Sequence, residues 1–488
     1  MKSLAHTVAR NSAWGLIAQI AIKMMSFAFS VLVIRKLGAE AFGQYAAVGA
    51  FGAIFIFVAD LGLSPYMVRQ IARGRNSPDG QRQAQQLYAT VLALRLWLSG
   101  MAAVLILLAA WLTQRPAVMT GAIALNAVTL LLYGFQGSSE AALAGFERFD
   151  LSASGKIANQ FVFFLIGGLA LWLGYGYYGL IIANLLGVAL LTYICWRGVR
   201  ELGLQPQSLT VQGWPVLLRA SLPFGLIGFA LGLSYKFDSV LLNIFRSDAE
   251  TGWYNAAYNL VFSAAVLSNV FNSALYPSLT REAMRAPERL PLVLERGLRY
   301  LMLAALPIAV GVSMLADKLV AFLFQAGFEP AAPILRIIIW TVPLMYSSEM
   351  LGYVVLITDQ ERRAARSVIV STGLNVLCNL LLVPRYGFYA AAMMTVVTEA
   401  VLVGQHAWTL RGLMRRINWM STVLRPLAAA GLMGVVTLLL RPAVPLVVNI
   451  VVSGCAYGLF LLVLGSVGRD ELRFFRAFRA PAEEVGGS

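Results

Sequence analysis

Long apolar runs alternate with short polar breaks from one end of the chain to the other. Each run of about 20 residues suffices to cross about 30 Å of hydrocarbon at 1.5 Å per residue. The pattern predicts fourteen helices, at about 12–34, 44–68, 87–111, 117–138, 156–174, 177–196, 218–244, 252–277, 299–323, 331–357, 366–383, 388–411, 422–440 and 444–466. An even number of spans puts both termini on one side. The first run is too long for a signal-peptide core and is interrupted by Lys23, so it is expected to stay as a membrane helix. The largest gaps, about 197–217 and 278–298, leave no room for a soluble catalytic domain. The stretch "GWPVLLRASLPFG" (213–225) predicts an interfacial helix anchored by Trp214. From Arg469 onward the tail reads as a short amphipathic segment followed by disorder.

Composition gives the class. The 488 residues are 59% hydrophobic and 12% charged, with mean hydropathy +0.73. A soluble domain carries about 25% charge. The expected fold is therefore all-α, a polytopic integral membrane protein. A net charge of +15 would otherwise invite a nucleic-acid partner. Its distribution removes that need. With the N-terminus in the cytoplasm, internal segments hold 27 of the 38 Lys and Arg and external segments eight. Those eight include Arg35, Lys36, Arg246, Lys318, Arg336 and Arg441. Three cations lie inside helices: Lys23, Arg95 and Lys236. No nucleic-acid binding is expected, and both termini are placed in the cytoplasm. Cys195, Cys378 and Cys455 sit in or beside apolar runs without a C-x-x-C, and only two histidines occur, so no metal site is expected. Trp14, Trp111, Trp172, Trp196, Trp253 and Trp408 lie near helix ends, where interface anchoring accounts for most of them.

The chain also repeats itself. "RKLGAEAFGQYAAV" (35–48) and "FRSDAETGWYNAAY" (245–258) align Gly43-x-Tyr45 with Gly252-x-Tyr254, each just after an acidic residue. Pro65 and Pro277 lie near the end of the following helix in each half. Six helices separate the two hairpins, so the halves share an orientation and predict parallel repeats with a site between them. The expected domains are an N-terminal six-helix lobe (1–205), a C-terminal six-helix lobe (206–415), helices thirteen and fourteen (416–468) and a cytoplasmic tail (469–488).

The stretch "RKLGAEAFGQYAAVGAFGAIFIFVADLGLSPYMVRQIARG" (35–74) resembles the first hairpin of Wzx-type oligosaccharide flippases, within the multidrug/oligosaccharidyl-lipid/polysaccharide exporter superfamily. The likeness is carried by Leu37 to Tyr45, by the D-L-G-L turn from Asp60 to Leu63, and by the basic segment that follows. It implies a V-shaped pair of six-helix lobes in the plasma (bacterial inner) membrane. Its implied cargo is a polyprenyl-pyrophosphate-linked oligosaccharide, carried outward by alternating access for surface polysaccharide export. A polysaccharide polymerase and glycosyltransferases are the implied partners. No cofactor is expected beyond coupling to a proton or sodium gradient.

Ionisable groups inside spans cost several kcal/mol unless paired or hydrated, so each is a site candidate. Helix rise puts Lys23 about 16 Å, and Asp60 and Arg95 about 12 Å, from the cytoplasmic ends of their helices. Asp60 is thus placed to neutralise Lys23 or Arg95, either as a closed ion pair between helices or as an orienter of a cargo-binding cation. Pyrophosphate oxygens suit Lys and Arg donors. Lys236 and Asp238 lie on different faces of helix seven, so Asp238 does not neutralise Lys236 locally. The candidate substrate-binding residues are Lys23, Asp60, Arg95, Lys236, Asp238 and Arg35 at the external mouth. Glu399, near mid-span, and Glu349 are the candidate ion-coupling carboxylates. His406 is expected at the cytoplasmic interface. Rival readings are a lipid-II-type flippase, a cation-coupled multidrug antiporter, against which the buried cations speak, and a membrane glycosyltransferase or polymerase, for which the external loops are too short.

Overall fold

A computed structural model describes residues 2–112, 117–204, 211, 213–324 and 326–466. Among them the chain forms α-helices and no strand. In order these are α1 (Lys2–Asp60), α2 (Leu63–Gly74), α3 (Gly80–Leu112), α4 (Ala117–Gly145), α5 (Phe149–Trp172), α6 (Gly176–Glu201), α7 (Trp214–Phe245), α8 (Asp248–Arg285), α9 (Leu290–Leu323), α10 (Ala331–Ile338), α11 (Thr341–Ile357), α12 (Glu361–Tyr386), α13 (Phe388–Thr409), α14 (Arg411–Met414), α15 (Arg425–Leu440) and α16 (Leu446–Val463). A π-helical turn, Met420–Leu424, enters α15.

Among the described residues, eleven segments are long and apolar enough to cross a membrane, and α7, bent by 42° near Gly228, makes twelve. The protein is a polytopic all-α membrane protein. Two features separate this count from the fourteen apolar runs. Ile22–Gly74 counts once yet contains two runs, divided at Gly38. Gly38 has φ 74° and ψ 176°, a conformation a side chain would resist, and this one residue reorients the chain. The eighth run falls in α8 (Asp248–Arg285), which is not among the counted segments.

The gaps read from the sequence are corrected. Most of the stretch between the first two runs is helical, α6 continues to Glu201, and α8 runs on to Arg285, about 57 Å in all at 1.5 Å per residue. Hydropathy marks where side chains leave hydrocarbon, whereas Arg, Glu and Gln prolong a helix well into water. The segment 213–225 falls, from Trp214 onward, in Trp214–Leu226, which a 42° bend sets off from Gly228–Phe245. It is the first arm of α7, and Trp214 packs on Trp97 at 5.8 Å between ring centroids. Trp14 and the tail from Arg469 lie outside the residues and side chains described.

Two compact units interleave along the chain. One comprises Ala28–Ala256 and Val368–Met394, the other Met1–Phe27, Ala257–Ser367 and Thr395–Ser488. In the Ala28–Ala256 unit, Leu63, Met67 and Ile71 of α2 pack with Tyr88, Leu94 and Leu98 of α3, and with Cys195 and Val199 of α6. A second cluster joins Ala47 and Val48 of α1 to Met119, Ile123 and Leu130 of α4 and Ile181 of α6. In the Ala257–Ser367 unit, α9 is the central element. Its Gly297 faces Met350 of α11, and Gly434 of α15 faces its Val310. Tyr457 of α16 donates to the carbonyl of Leu303 at 2.9 Å. Small residues at such crossings are expected where lipid supplies no hydrophobic drive between helices.

Candidate functional site

Asp60 ends α1 just before two residues with positive φ, Leu61 (41°) and Gly62 (78°). Its carboxylate accepts from the Ser64 hydroxyl at 2.8 Å and the Ser64 N–H at 3.3 Å, capping the first turn of α2. Arg95 of α3 reaches the same place. Its Nη2 lies 2.6 Å from Asp60 Oδ1, and its Nη1 donates to Ser64 Oγ at 2.8 Å. The guanidinium is buried and lies flat on α4, where a Cβ at Gly137 would come within 2.7 Å of its Cζ. Asp60 is thus joined to Arg95, one of the two cations the sequence offered it. Lys23 is exposed on α1.

A second acid–base pair lies in the same unit. Glu140 of α4 pairs with Lys156 of α5 and accepts from Gln136 Nε2 at 2.5 Å. The sequence analysis passed over both residues because helix four was ended at 138 and helix five begun at 156. Allowing each apolar run two further helical turns would have exposed them.

On α7, Asp238 is buried and accepts from the Tyr254 hydroxyl at 2.8 Å and Asn379 Nδ2 at 2.7 Å. Lys236 is half-buried on another face of the helix and, within its unit and among the described residues, has no ion-pair partner. The cations Arg246 and Arg336 are tied down. Arg246 pairs with Glu250, and Asp317 bridges Arg336 to Arg441. Lys318 donates to the carbonyls of Arg441 and Val444 beyond α15. Arg35 is exposed and engaged in contacts of its own.

The repeat motif proves to be a contact. Gly43 lies directly against the carbonyl of Asp248, and Gly252 against that of Ala39, so closely that a Cβ on either would overlap backbone. Gln44 Nε2 donates to Asp248 Oδ2 at 2.9 Å, and Asn243 Nδ2 donates to Oδ1 at 2.6 Å. The two hairpins that align in sequence meet glycine to glycine.

The other unit holds the two candidate coupling carboxylates in one polar cluster. Glu349 of α11 accepts from Ser268 Oγ at 2.6 Å and from Asn272 and Asn269 of α8 at 3.2 and 3.4 Å. Glu399 of α13 accepts from the hydroxyl of Ser348, the residue before Glu349. His406 is buried, with Nδ1 3.3 Å from the Ser348 carbonyl. Adjacent carboxylates among neutral hydroxyl and amide donors form a setting in which one proton or small cation changes the local charge balance. The contributions of Ser268, Asn269 and Asn272 were missed because the sequence analysis weighed only ionisable groups.

Comparison with known proteins follows the same lines. A family model described as "Polysaccharide biosynthesis protein" matches residues 8–282. A probable low-salt glycan biosynthesis flippase, Agl15 of Haloferax volcanii, is 23% identical over 171 residues; the match covers 35% of this chain and 36% of that protein, about a third of its length. Among solved structures, the lipid II flippase MurJ in an inward closed conformation superposes with TM-score 0.77 over 95% of this chain and 99% of that one, at 12% identity. An inward-facing multidrug resistance MATE family transporter of the MOP superfamily gives TM-score 0.62 over 82% and 99%, at 15% identity. These two likenesses show a shared fold.

Proposed function

This chain belongs to the polysaccharide biosynthesis protein family, and from that premise we propose that it is a flippase, not an enzyme, moving a lipid-linked glycan across the membrane by alternating access. The observation that carries the reading is the seam between the two repeat hairpins. Gly43 and Gly252 bring two helices to backbone contact, and Gln44 donates across the join to Asp248, whose other carboxylate oxygen accepts from Asn243 of its own hairpin. A contact made of close backbone packing and a few hydrogen bonds can open without leaving a large apolar surface exposed. That suits a gate.

In this reading the cargo is a polyprenyl-pyrophosphate-linked oligosaccharide, taken from the cytoplasmic to the outer leaflet of the plasma membrane for surface polysaccharide export. Arg95, Lys23, Lys236 and Lys156 are the cations available to its phosphates. Asp60 and Glu140 share Arg95 and Lys156 with the cargo and so keep binding reversible. The Glu349–Ser348–Glu399 cluster takes up the proton or sodium ion that drives the cycle. The external side is the side of the glycine seam, following from the positive-inside bias.

The test is a lock. In a cysteine-free background, Gln44→Cys/Asp248→Cys is oxidised in proteoliposomes holding a lipid-linked oligosaccharide, and flipping is read as accessibility of the sugar to an external glycosidase. Flipping is expected to stop on oxidation and return with reductant. Full cross-linking with undiminished flipping would refute the gate, and absence of flipping by the unmodified protein would refute the flippase reading.

A further inference from the structure

Two candidate spans, Phe388–Thr409 and Met420–Leu440, are joined by the ten residues 410–419. This link sits at the edge of the hydrocarbon by construction, because one helix leaves the apolar layer and the other enters it within a few residues. A cavity of about 540 Å³ opens here, lined by Gly404, Trp408, Arg411, Arg415 and Trp419 among others.

Trp408 is 72% exposed and Trp419 45%, so the protein leaves much of both indole rings uncovered. The Arg411 guanidinium stands over the Trp408 ring, 5.5 Å from its centroid, which holds it against the wall of the cavity. Arg415 is exposed one turn further on. Within the unit and among the described residues, neither arginine has a carboxylate partner. Glu295, the acid that contacts the link, spends an oxygen on the backbone N–H of Asn418 at 3.0 Å. A side chain added at Gly404 would meet nothing within 4 Å, so the cavity is open beside this residue.

We propose that this cavity binds the phosphodiester headgroup of an anionic membrane phospholipid. Two forked guanidinium groups match phosphodiester oxygens. Exposed indoles favour the headgroup level, where ring and N–H are both satisfied. Anionic lipids gather at basic juxtamembrane segments. The site is separate from every group assigned to the cargo or to ion coupling, and it rests only on the chain's being a membrane protein.

Native mass spectrometry of the detergent-solubilised full chain tests this, with phosphatidylglycerol and phosphatidylcholine as probes. Arg411→Gln/Arg415→Gln is expected to weaken phosphatidylglycerol binding about ten-fold or more and to leave phosphatidylcholine binding unchanged. Gly404→Leu removes no charge and fills open space, and it should weaken the same binding. Arg362→Gln/Arg363→Gln, on a different link, should leave it unchanged. Equal loss in that control, or no loss in the first two variants, overturns the proposal. So does displacement of bound phosphatidylglycerol by inorganic pyrophosphate at micromolar concentration, which would make this a site for the cargo's phosphates. A monodisperse elution profile for each variant shows that binding, not folding, has changed.

Discussion

A carboxylate at the end of α1 meets a guanidinium from α3, and each is costly without the other. Breaking a buried ion pair by removing one partner costs about 3–5 kcal/mol, and the partial exposure of Asp60 (23%) moves the value toward the lower end. Asp60→Asn and Arg95→Met are each expected to lower membrane abundance on immunoblots, and the double variant to recover most of it. A double variant as depleted as the sum of the singles would show that the pair does not act as one. Lys23 behaves differently because it is exposed. Lys23→Ala should keep full abundance and lose complementation of surface-glycan export, if Lys23 meets the cargo. Adding Asp60→Ala should then reduce abundance through the orphaned Arg95 rather than restore export; restored export would refute the ligand role. For Glu399, the Ser348 hydroxyl bond is made equally well by an amide oxygen. Glu399→Gln should therefore assemble normally and abolish the dependence of flipping on a proton or sodium gradient. Gradient dependence equal to that of the unmodified protein would remove Glu399 from the coupling role.

At the scale of elements, the decisive feature is how closely two helices approach. Gly43 and Gly252 admit backbone where any other residue places a Cβ. Gly43→Ala or Gly252→Ala must push the hairpins apart, which disfavours the joined arrangement without touching the charges proposed to meet the cargo. A cysteine introduced at Gln44 should then react severalfold faster with a membrane-impermeant maleimide. Gly49→Ala, whose added methyl meets open space, should leave the rate unchanged. Equal rates in all three backgrounds would mean that the seam is not a moving contact. The tight turn at Gly62 shows the same economy, since Gly62 and Gly225 of α7 touch through backbone and fix the start of α2.

Across the whole molecule, the arginine and lysine asymmetry sets the expected orientation, and the structure accounts for several of its exceptions. Lys318, Arg336 and Arg441 gather around Asp317 and the carbonyls past α15, so their charge is spent within the protein. With these set aside the bias toward one side is stronger still. Intact cells carrying Ser247→Cys in a cysteine-free background should be labelled by an impermeant reagent, and those carrying Met284→Cys should be labelled only after permeabilisation. External labelling at 284 would invert the model.

The apolar runs, the all-α membrane class, the family likeness of residues 35–74 and the repeated glycine motif were all readable from the sequence alone. Each is a local property: a run of 20 apolar residues reports its own solvent whatever lies beside it. The partner of Asp60 was left open between two residues at similar depth, because depth follows from counting along a helix while pairing depends on how neighbouring helices are rotated. Glu140 and Lys156 escaped notice because hydropathy cannot see a helix continue past the edge of its apolar run. Glu349 and Glu399 were read as separate residues fifty positions apart, and only the packing of α11 against α13 made them one cluster through Ser348. Even the glycine motif, visible as a repeat, was not visible as a contact. Sequence fixes which groups must be hidden from lipid; the tertiary structure decides which of them hide one another, since that choice rests on distances between segments the chain itself places far apart.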